Sequence, residues 1–141
     1  MKFLFSFFSF LLLNVAFGQD EVVWTATFKP DSSLIVIDAT IGKNWHLYSV
    51  NLTGDSGPIP TSFSFPPSEL LHMHGPIKES IPETHYDPNF EANISSFMNH
   101  ATFRQNAHFE KPGEYEFTVT FMVCNDQMCI PPTDKKIKIV L

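Results

Sequence analysis

Two cysteines, Cys124 and Cys129, are the residues of this sequence whose type and spacing are best suited to chemistry. The polar segment 125–128 separates them. A hairpin loop of that length would place the two sulfurs opposite each other across a pair of strands, within reach of a disulfide bond. A pair at this spacing in an exported protein is usually oxidised. The sulfurs could therefore either fasten the fold or exchange with the thiols of another protein.

The short loop weakens the purely structural interpretation of this pair. On the chain-entropy model, closing a loop of about six residues stabilises a fold by only roughly 2 kcal/mol. A disulfide at the end of a hairpin is also open to attack by another thiolate, and accessible disulfides are the ones that exchange. The loop carries Asp126 and no lysine, arginine or histidine, so nothing within it favours a thiolate. We expect a sluggish thiol that depends on the geometry of its partner. Spacing alone leaves both interpretations open.

The first residues have the organisation of a secretory signal peptide. Lys2 precedes an apolar run over 3–17, and Ala16 and Gly18 are the small residues expected before a cleavage site. We therefore expect cleavage after residue 18, export to the periplasm, and a mature domain over 19–141. The alternative is a retained N-terminal anchor, although the run is shorter than a usual membrane span and Asn14 interrupts it.

Composition narrows the class of protein further. The chain has 141 residues, the size of one domain, and a formal net charge of −6. An acidic chain without a basic run argues against nucleic acid and anionic membrane surfaces as partners. The sequence shows no Ser-His-Asp order, no paired carboxylates and no glycine-rich phosphate loop, so hydrolase chemistry is poorly supported.

Alternation of apolar and polar residues, not helical periodicity, runs through the sequence after the signal peptide. In 115–123 every second residue is apolar, which predicts a strand with one buried face. The apolar start of 34–41 predicts a strand covered on both sides. Short strands separated by turns predict an all-β fold, an antiparallel sandwich of the immunoglobulin-like type. The other predicted strands lie over 22–29, 44–49, 61–65, 101–110 and 136–141.

Two further features concern the core and one long connection. Segment 66–99 is rich in proline and shows little alternation, so we expect a functional loop with one or two edge strands. The aromatic residues predicted to form the core are Trp24, Phe63, Phe65, Phe103, Phe117 and Phe121.

Segment 119–132, VTFMVCNDQMCIPP, resembles the active-site segment of a known family, the N-terminal periplasmic domain of the thiol:disulfide interchange protein DsbD. In that family a strand leads into a cysteine, a short polar loop with aspartate, a second cysteine, an apolar residue and Pro-Pro. Segment 42–49, GKNWHLYS, resembles the family's aromatic strand, whose tyrosine lies beside the cysteines and matches Tyr48. The sequence departs from the family in its loop, which is one residue shorter, and in Trp45-His46, where a tyrosine pair is common.

The resemblance implies an immunoglobulin-like domain that passes electrons by thiol–disulfide exchange, as a thiol:disulfide oxidoreductase without a cofactor. Its implied partners are thioredoxin-like or disulfide-isomerase proteins, bound through transient mixed disulfides. By resemblance, Cys129 bonds the partner and Cys124 resolves the mixed disulfide. The sequence has no counterpart of the family's membrane-spanning domain, so we expect a separate membrane protein to exchange electrons with it.

The resemblance also implies residues around the cysteine pair. In the family a loop with an aromatic residue covers the disulfide, and segment 86–90, Tyr-Asp-Pro-Asn-Phe, is the matching place here. Phe90 would lie on the sulfurs, with Tyr48 on the other side of the bond and His46 and Asp126 nearby. Packing of Phe90 into the core is the alternative.

Two other functions stay open at this stage. The first is an exported binding or interaction module with a purely structural disulfide. The second is a metal-handling protein, because His72 and His74 would share one face of a strand and could bind copper or zinc. The remaining histidines that could contribute are His46, His85, His100 and His108.

Overall fold

The computed structural model describes residues 20–54 and 56–141. The predicted signal peptide, residues 1–18, lies outside them. The described chain forms two antiparallel sheets that pack face to face, so the predicted all-β sandwich is confirmed. A single 3-10 turn, Pro30–Ser32, follows the first strand. No helix in the described part of the chain is long and apolar enough to cross a membrane.

The smaller sheet has four strands, in the order β1-β2-β8-β5. Its central pair aligns Ile37 with Phe103, so the apolar faces of both strands point into the sandwich. The bounds are β1 Val22–Lys29, β2 Leu34–Ile41, β5 Leu71–Glu79 and β8 His100–Phe109.

The larger sheet has six strands and carries the cysteine pair. Its order is β10-β9-β3-β7-β6, and β4 pairs with β9 beside β3. The bounds are β3 His46–Tyr48, β4 Ser62–Ser64, β6 Glu83–Asp87, β7 Ala92–Met98, β9 Glu114–Cys124 and β10 Cys129–Val140.

The core lies between the two sheets and consists of the alternating apolar residues. The predicted core aromatics are confirmed: Trp24, Phe103, Phe117 and Phe121 are buried, and Phe63 and Phe65 are partly buried against them. On β2, Ile35 and Ile37 are fully buried, whereas Leu34 and Val36 on the other face are only half-buried. The prediction that this strand is covered on both sides therefore holds for its inner face and only in part for its outer face.

Segment 66–99 contains more regular structure than the sequence indicated, with the three strands β5, β6 and β7. β5 and β6 lie at sheet edges, where polar side chains face solvent and no strong alternation is needed. A register shift between His74 and Lys78 further disturbs the pattern. β10 likewise begins before Pro131-Pro132 rather than after, because a shift between Ile130 and Thr133 accommodates both prolines.

Candidate functional site

The cysteine hairpin, residues 124–129, joins the end of β9 to the start of β10. Cys124 and Cys129 pair across the two strands and form a disulfide, with their Cα atoms 4.0 Å apart. The Asn125 side chain shapes the loop, because its Oδ1 accepts hydrogen bonds from the backbone N–H groups of Gln127 and Met128, both at 2.9 Å. The predicted hairpin geometry is thus present, and local residues are sufficient to set it.

The two sulfur-bearing residues differ in accessibility. Cys124 is fully buried, whereas Cys129 is partly exposed at the edge of the hairpin. Met128, beside Cys129, is 53% exposed, which is high for a large apolar side chain. The hairpin therefore leaves Cys129 partly open to solvent and keeps Cys124 inside the molecule.

β3 lies directly against the buried cysteine. Its register with β9 places His46 opposite Cys124 and Leu47 opposite Val123. Leu47 and Val123 point into the core, so the alternation of side chains puts His46, Tyr48 and Cys124 on the outer face of the sheet. A tight turn before β3 sets this register, in which Asn44 adopts a φ of 68°, a conformation that asparagine tolerates better than most residues.

A buried carboxylate, Asp87, lies at the centre of the polar contacts on this outer face. The Tyr48 hydroxyl donates to its Oδ2 at 2.6 Å, and Nε2 of His46 lies 2.9 Å from the same oxygen. Oδ1 accepts hydrogen bonds from the backbone N–H and the side-chain amide of Asn89 at 2.9 and 3.0 Å. Both oxygens are therefore fully used, as a buried charge requires.

These contacts shift two pKa values in opposite directions. Burial, reinforced by the hydrogen bond to Asp87, raises the pKa of Tyr48 far above its usual range, so this hydroxyl stays protonated. Burial alone would raise the pKa of Asp87, but the hydrogen bonds from Tyr48, His46 and Asn89 outweigh it and hold this pKa below its usual value. Asp87 is consequently ionised at neutral pH and acts as a fixed negative charge beside the cysteine hairpin.

The β6–β7 turn, residues 88–91, connects this carboxylate to the cysteine hairpin. The Asn89 side-chain amide donates to the backbone carbonyl of Asn125 at 2.8 Å. The Phe90 ring is half-buried and meets the Tyr48 ring edge to face, with centroids 6.0 Å apart. Among the described residues, Phe90 is not a member of the core cluster. The turn is thus attached to the hairpin at one point and lies on the tyrosine at another.

An open pocket of about 210 Å³ lies beside these groups on the outer face. Asp126 of the cysteine hairpin and His46 both line it, and Met98 contributes an exposed apolar side chain. The full lining comprises His46, His85, Tyr86, Asp87, Ile94, Ser96, Met98 and Asp126.

Comparison with known proteins identifies the family of this chain. The family model described as thiol:disulfide interchange protein DsbD, N-terminal, matches residues 15–141, which is most of the chain. The chain belongs to the DsbD N-terminal family. A search of curated proteins finds no match.

Two solved structures from Neisseria meningitidis share the fold of this DsbD N-terminal family member. The DsbD N-terminal domain in its reduced form is 16% identical, with a TM-score of 0.64 and coverage of 86% of each chain. The complex between the DsbD N-terminal and PilB N-terminal domains gives 15% identity and a TM-score of 0.56, over 82% of this chain and 80% of that one. At such low identity the likeness carries the fold alone, and it agrees with the immunoglobulin-like sandwich.

The histidines predicted to bind a metal on β5 lie away from this site, on the smaller sheet. His72 and His74 do lie on one face of β5, exposed to solvent as the alternation predicts. His72 instead approaches Glu110, at 3.4 Å, and so does His108 from the neighbouring strand, at 3.5 Å. Within residues 20–54 and 56–141, no group of three or more histidine, cysteine, aspartate or glutamate side chains is arranged to hold a metal ion.

The structure brings Tyr48, His46 and Phe90 together near Asp87, whereas the position of Phe90 on the sulfurs stays a prediction. Two further residues near the hairpin did not follow from the sequence. Tyr48 contacts both His46 and Phe90, and Asp126 lines the same pocket as His46 and Asp87. The missed residues are Asp87 as the central charge and Asn89 as the link to the hairpin. An Asp-Pro-Asn turn in the sequence is a signal for local side-chain hydrogen bonding, but it does not reveal the distant partners Tyr48 and His46.

Proposed function

We propose that this domain performs thiol–disulfide exchange through Cys124 and Cys129. The observation that carries the proposal is the unequal exposure of the two cysteines at the end of a hairpin. A disulfide that served only to fasten the fold would gain nothing from an accessible sulfur, and its short loop would stabilise the fold by only roughly 2 kcal/mol. An exchanging disulfide needs one sulfur that a partner can reach.

The exchange proceeds in two steps. A partner thiolate attacks Sγ of Cys129, the accessible sulfur, and the Cys124 thiolate leaves, so that a mixed disulfide joins the two proteins. A second partner thiol then attacks the partner's sulfur in that mixed disulfide, and Cys129 is released as a thiolate. The domain gains two electrons and the partner dithiol becomes a disulfide. In the opposite direction, Cys124 attacks the mixed disulfide and releases the partner, which makes Cys124 the resolving cysteine.

The β6–β7 turn acts as a cover for the disulfide in this proposal. Phe90 lies on Tyr48 outside the core cluster of the described residues, and a hydrogen bond from Asn89 to Asn125 holds the turn to the hairpin. An aromatic contact of this kind is worth about 0.5–1.5 kcal/mol, so a docking partner can displace it. The cover therefore limits reaction with small thiols and opens for a protein that binds the surrounding surface.

The proposed partners are thioredoxin-like or disulfide-isomerase proteins in the bacterial periplasm. The segment 1–18 has the pattern of a secretory signal, and export places the domain where disulfides persist. In one structural neighbour the DsbD N-terminal domain forms a complex with the PilB N-terminal domain, a precedent for a protein partner of this fold. A separate membrane protein is proposed as the other electron-exchange partner.

Trapping of the mixed disulfide tests the proposal. With Cys124→Ser, reduced Cys129 should form a long-lived mixed disulfide with an oxidised thioredoxin-like protein, because the resolving thiol is absent. Cys129→Ser is the matched control and should trap little, since Cys124 is buried. Trapping by Cys129→Ser alone would reverse the two roles, and trapping by neither variant would contradict the exchange function.

The reduction potential separates this function from a purely structural disulfide. We expect the Cys124–Cys129 couple to equilibrate with glutathione mixtures at a potential above about −300 mV. A potential well below that value would assign the protein to the class of exported binding modules with an inert disulfide.

A further inference from the structure

His46 occupies the position directly opposite the buried cysteine. Register partners in antiparallel strands carry Cβ atoms about 5 Å apart when both side chains lie on the same face. His46 and Cys124 are such partners on the outer face, and His46 is the titratable side chain that β3 places there along with Tyr48. The hairpin itself offers no proton donor near this sulfur, since its only charged residue is the acidic Asp126.

Asp87 determines which nitrogen of His46 carries a proton. Nε2 of His46 lies 2.9 Å from the ionised Asp87 carboxylate and therefore donates an N–H to it. The same nitrogen lies 3.1 Å from the Tyr48 hydroxyl, whose own proton is given to Asp87. In the neutral ring Nδ1 is then an unprotonated base, and in the charged ring it is an N–H donor. A carboxylate that fixes one imidazole nitrogen so that the other can move a proton is the arrangement used by acid–base histidines.

We propose that His46, oriented by Asp87, transfers the proton to and from the sulfur of Cys124 during disulfide exchange. The inference rests on the exchange function proposed above. When a partner thiolate bonds to Sγ of Cys129, the Cys124–Cys129 bond breaks and its electron pair goes to Sγ of Cys124. The protonated His46 gives its Nδ1 proton to this thiolate and becomes neutral. In the reverse direction neutral His46 takes the proton from the Cys124 thiol, and the thiolate attacks Cys129 and releases the partner thiolate.

Polar and charged groups from three elements surround His46 beside the cysteine hairpin. From β6, Asp87 contacts the ring directly, while His85 and Tyr86 line the same pocket. From the hairpin, Asp126 lines the pocket, and β7 contributes the uncharged Ile94, Ser96 and Met98. The ionised groups that face His46 are thus two carboxylates, and His85 is held by Glu83, at 2.7 Å, outside this contact. The ring is 14% exposed, so protons can still reach it from solvent.

The test is the pH profile of disulfide reduction by dithiothreitol, with the observed rate divided by the fraction of reagent present as thiolate. Wild type should show a corrected rate that falls as pH rises through the titration of a histidine. His46→Gln keeps an N–H donor for Asp87 but carries no transferable proton. Its corrected rate should be flat with pH and lower by about tenfold on the acid side, a modest value for general acid catalysis.

Three comparisons make the outcome decisive. His85→Gln, a change in the same pocket that touches no residue of the proposed relay, should keep the wild-type profile. An unchanged profile in folded His46→Gln would overturn the role of His46, whereas failure of the Cys124→Ser trap would instead overturn the exchange function. If His46→Gln does not fold, the wild-type profile decides, because a corrected rate without an inflection contradicts a titrating proton donor.

Discussion

The outer faces of the two sheets use the same residue types with different consequences. On the larger sheet His46 meets Asp87 at 2.9 Å, with the two side chains only 14% and 4% exposed. On the smaller sheet His72 and His108 approach Glu110 at 3.4 and 3.5 Å, with all three side chains 47–60% exposed. The first carboxylate makes hydrogen bonds through both oxygens, whereas the second remains in solvent.

The difference shows that burial, and not the presence of histidine beside a carboxylate, makes such a pair a fixed contact. Exposed ion pairs contribute about 0–1 kcal/mol and are screened by salt. A buried carboxylate instead fixes the groups around it, since each lost hydrogen bond leaves an unpaired polar atom. From the sequence, His46 and His72 were both candidate site residues. Only the tertiary structure shows which of them lies against a buried carboxylate.

Asp87→Ala should give the largest effect in this comparison. It leaves the buried Tyr48 hydroxyl and the Asn89 amide without their acceptor. We therefore expect the free energy of unfolding to fall by about 3 kcal/mol. Urea denaturation followed by far-ultraviolet circular dichroism measures this. Glu110→Ala is the matched control and should change the unfolding free energy by less than about 0.5 kcal/mol. Equal losses at both positions would contradict the distinction between the two faces.

Reduction of the disulfide should have the next largest effect on stability. The core lies between the sheets and does not include the cysteine loop, so the reduced domain should stay folded and lose about 2 kcal/mol. Near-ultraviolet circular dichroism with and without dithiothreitol checks this expectation. Loss of the near-ultraviolet signal on reduction at room temperature would indicate that the disulfide is needed to keep the domain folded.

The free energy of unfolding at low pH should depend on Asp87. The pKa of this carboxyl is lower in the folded protein than the value of about 3.9 in an unfolded chain. Its contribution is therefore fully present above the unfolded value, and it is lost as pH falls through the folded pKa. Asp87→Asn removes this contribution, so its unfolding free energy should fall less steeply below about pH 4 than that of wild type. Identical slopes in Asp87→Asn and wild type would contradict the assignment.

Phe90→Ala should have the smallest effect on stability and a clear effect on reactivity. Because the ring lies outside the core cluster of the described residues, the loss should be about 1 kcal/mol. Reduction by a small thiol should become faster, since the cover over the hairpin is removed. Phe97→Ala, on the neighbouring strand and in the core, is the contrasting variant and should cost about 3–5 kcal/mol. If Phe90→Ala lowers the free energy of unfolding as much as Phe97→Ala does, or leaves the reduction kinetics unchanged, Phe90 does not cover the disulfide.

The sandwich and the cysteine hairpin could be predicted from the sequence alone, because both depend on short-range patterns. Alternation along 115–123 identifies the buried face of β9 without any knowledge of its neighbours. The spacing of Cys124 and Cys129 fits one hairpin loop, and the side chain of Asn125 sets that loop locally. The weakly patterned strands β5, β6 and β7 were harder to predict, since edge strands face solvent and need no strict alternation.

The polar environment of the disulfide, in contrast, depends on contacts between residues that are distant in the sequence. Asp87 is 41 residues from His46 and 39 from Tyr48 along the chain, and neither pairing follows from a local pattern. The position of His46 opposite Cys124 depends on the register of β3 with β9, where a shift by one residue would turn the ring to the other face of the sheet. Residue types identify the groups that could react, whereas strand register and burial determine which of them lie beside the cysteine hairpin.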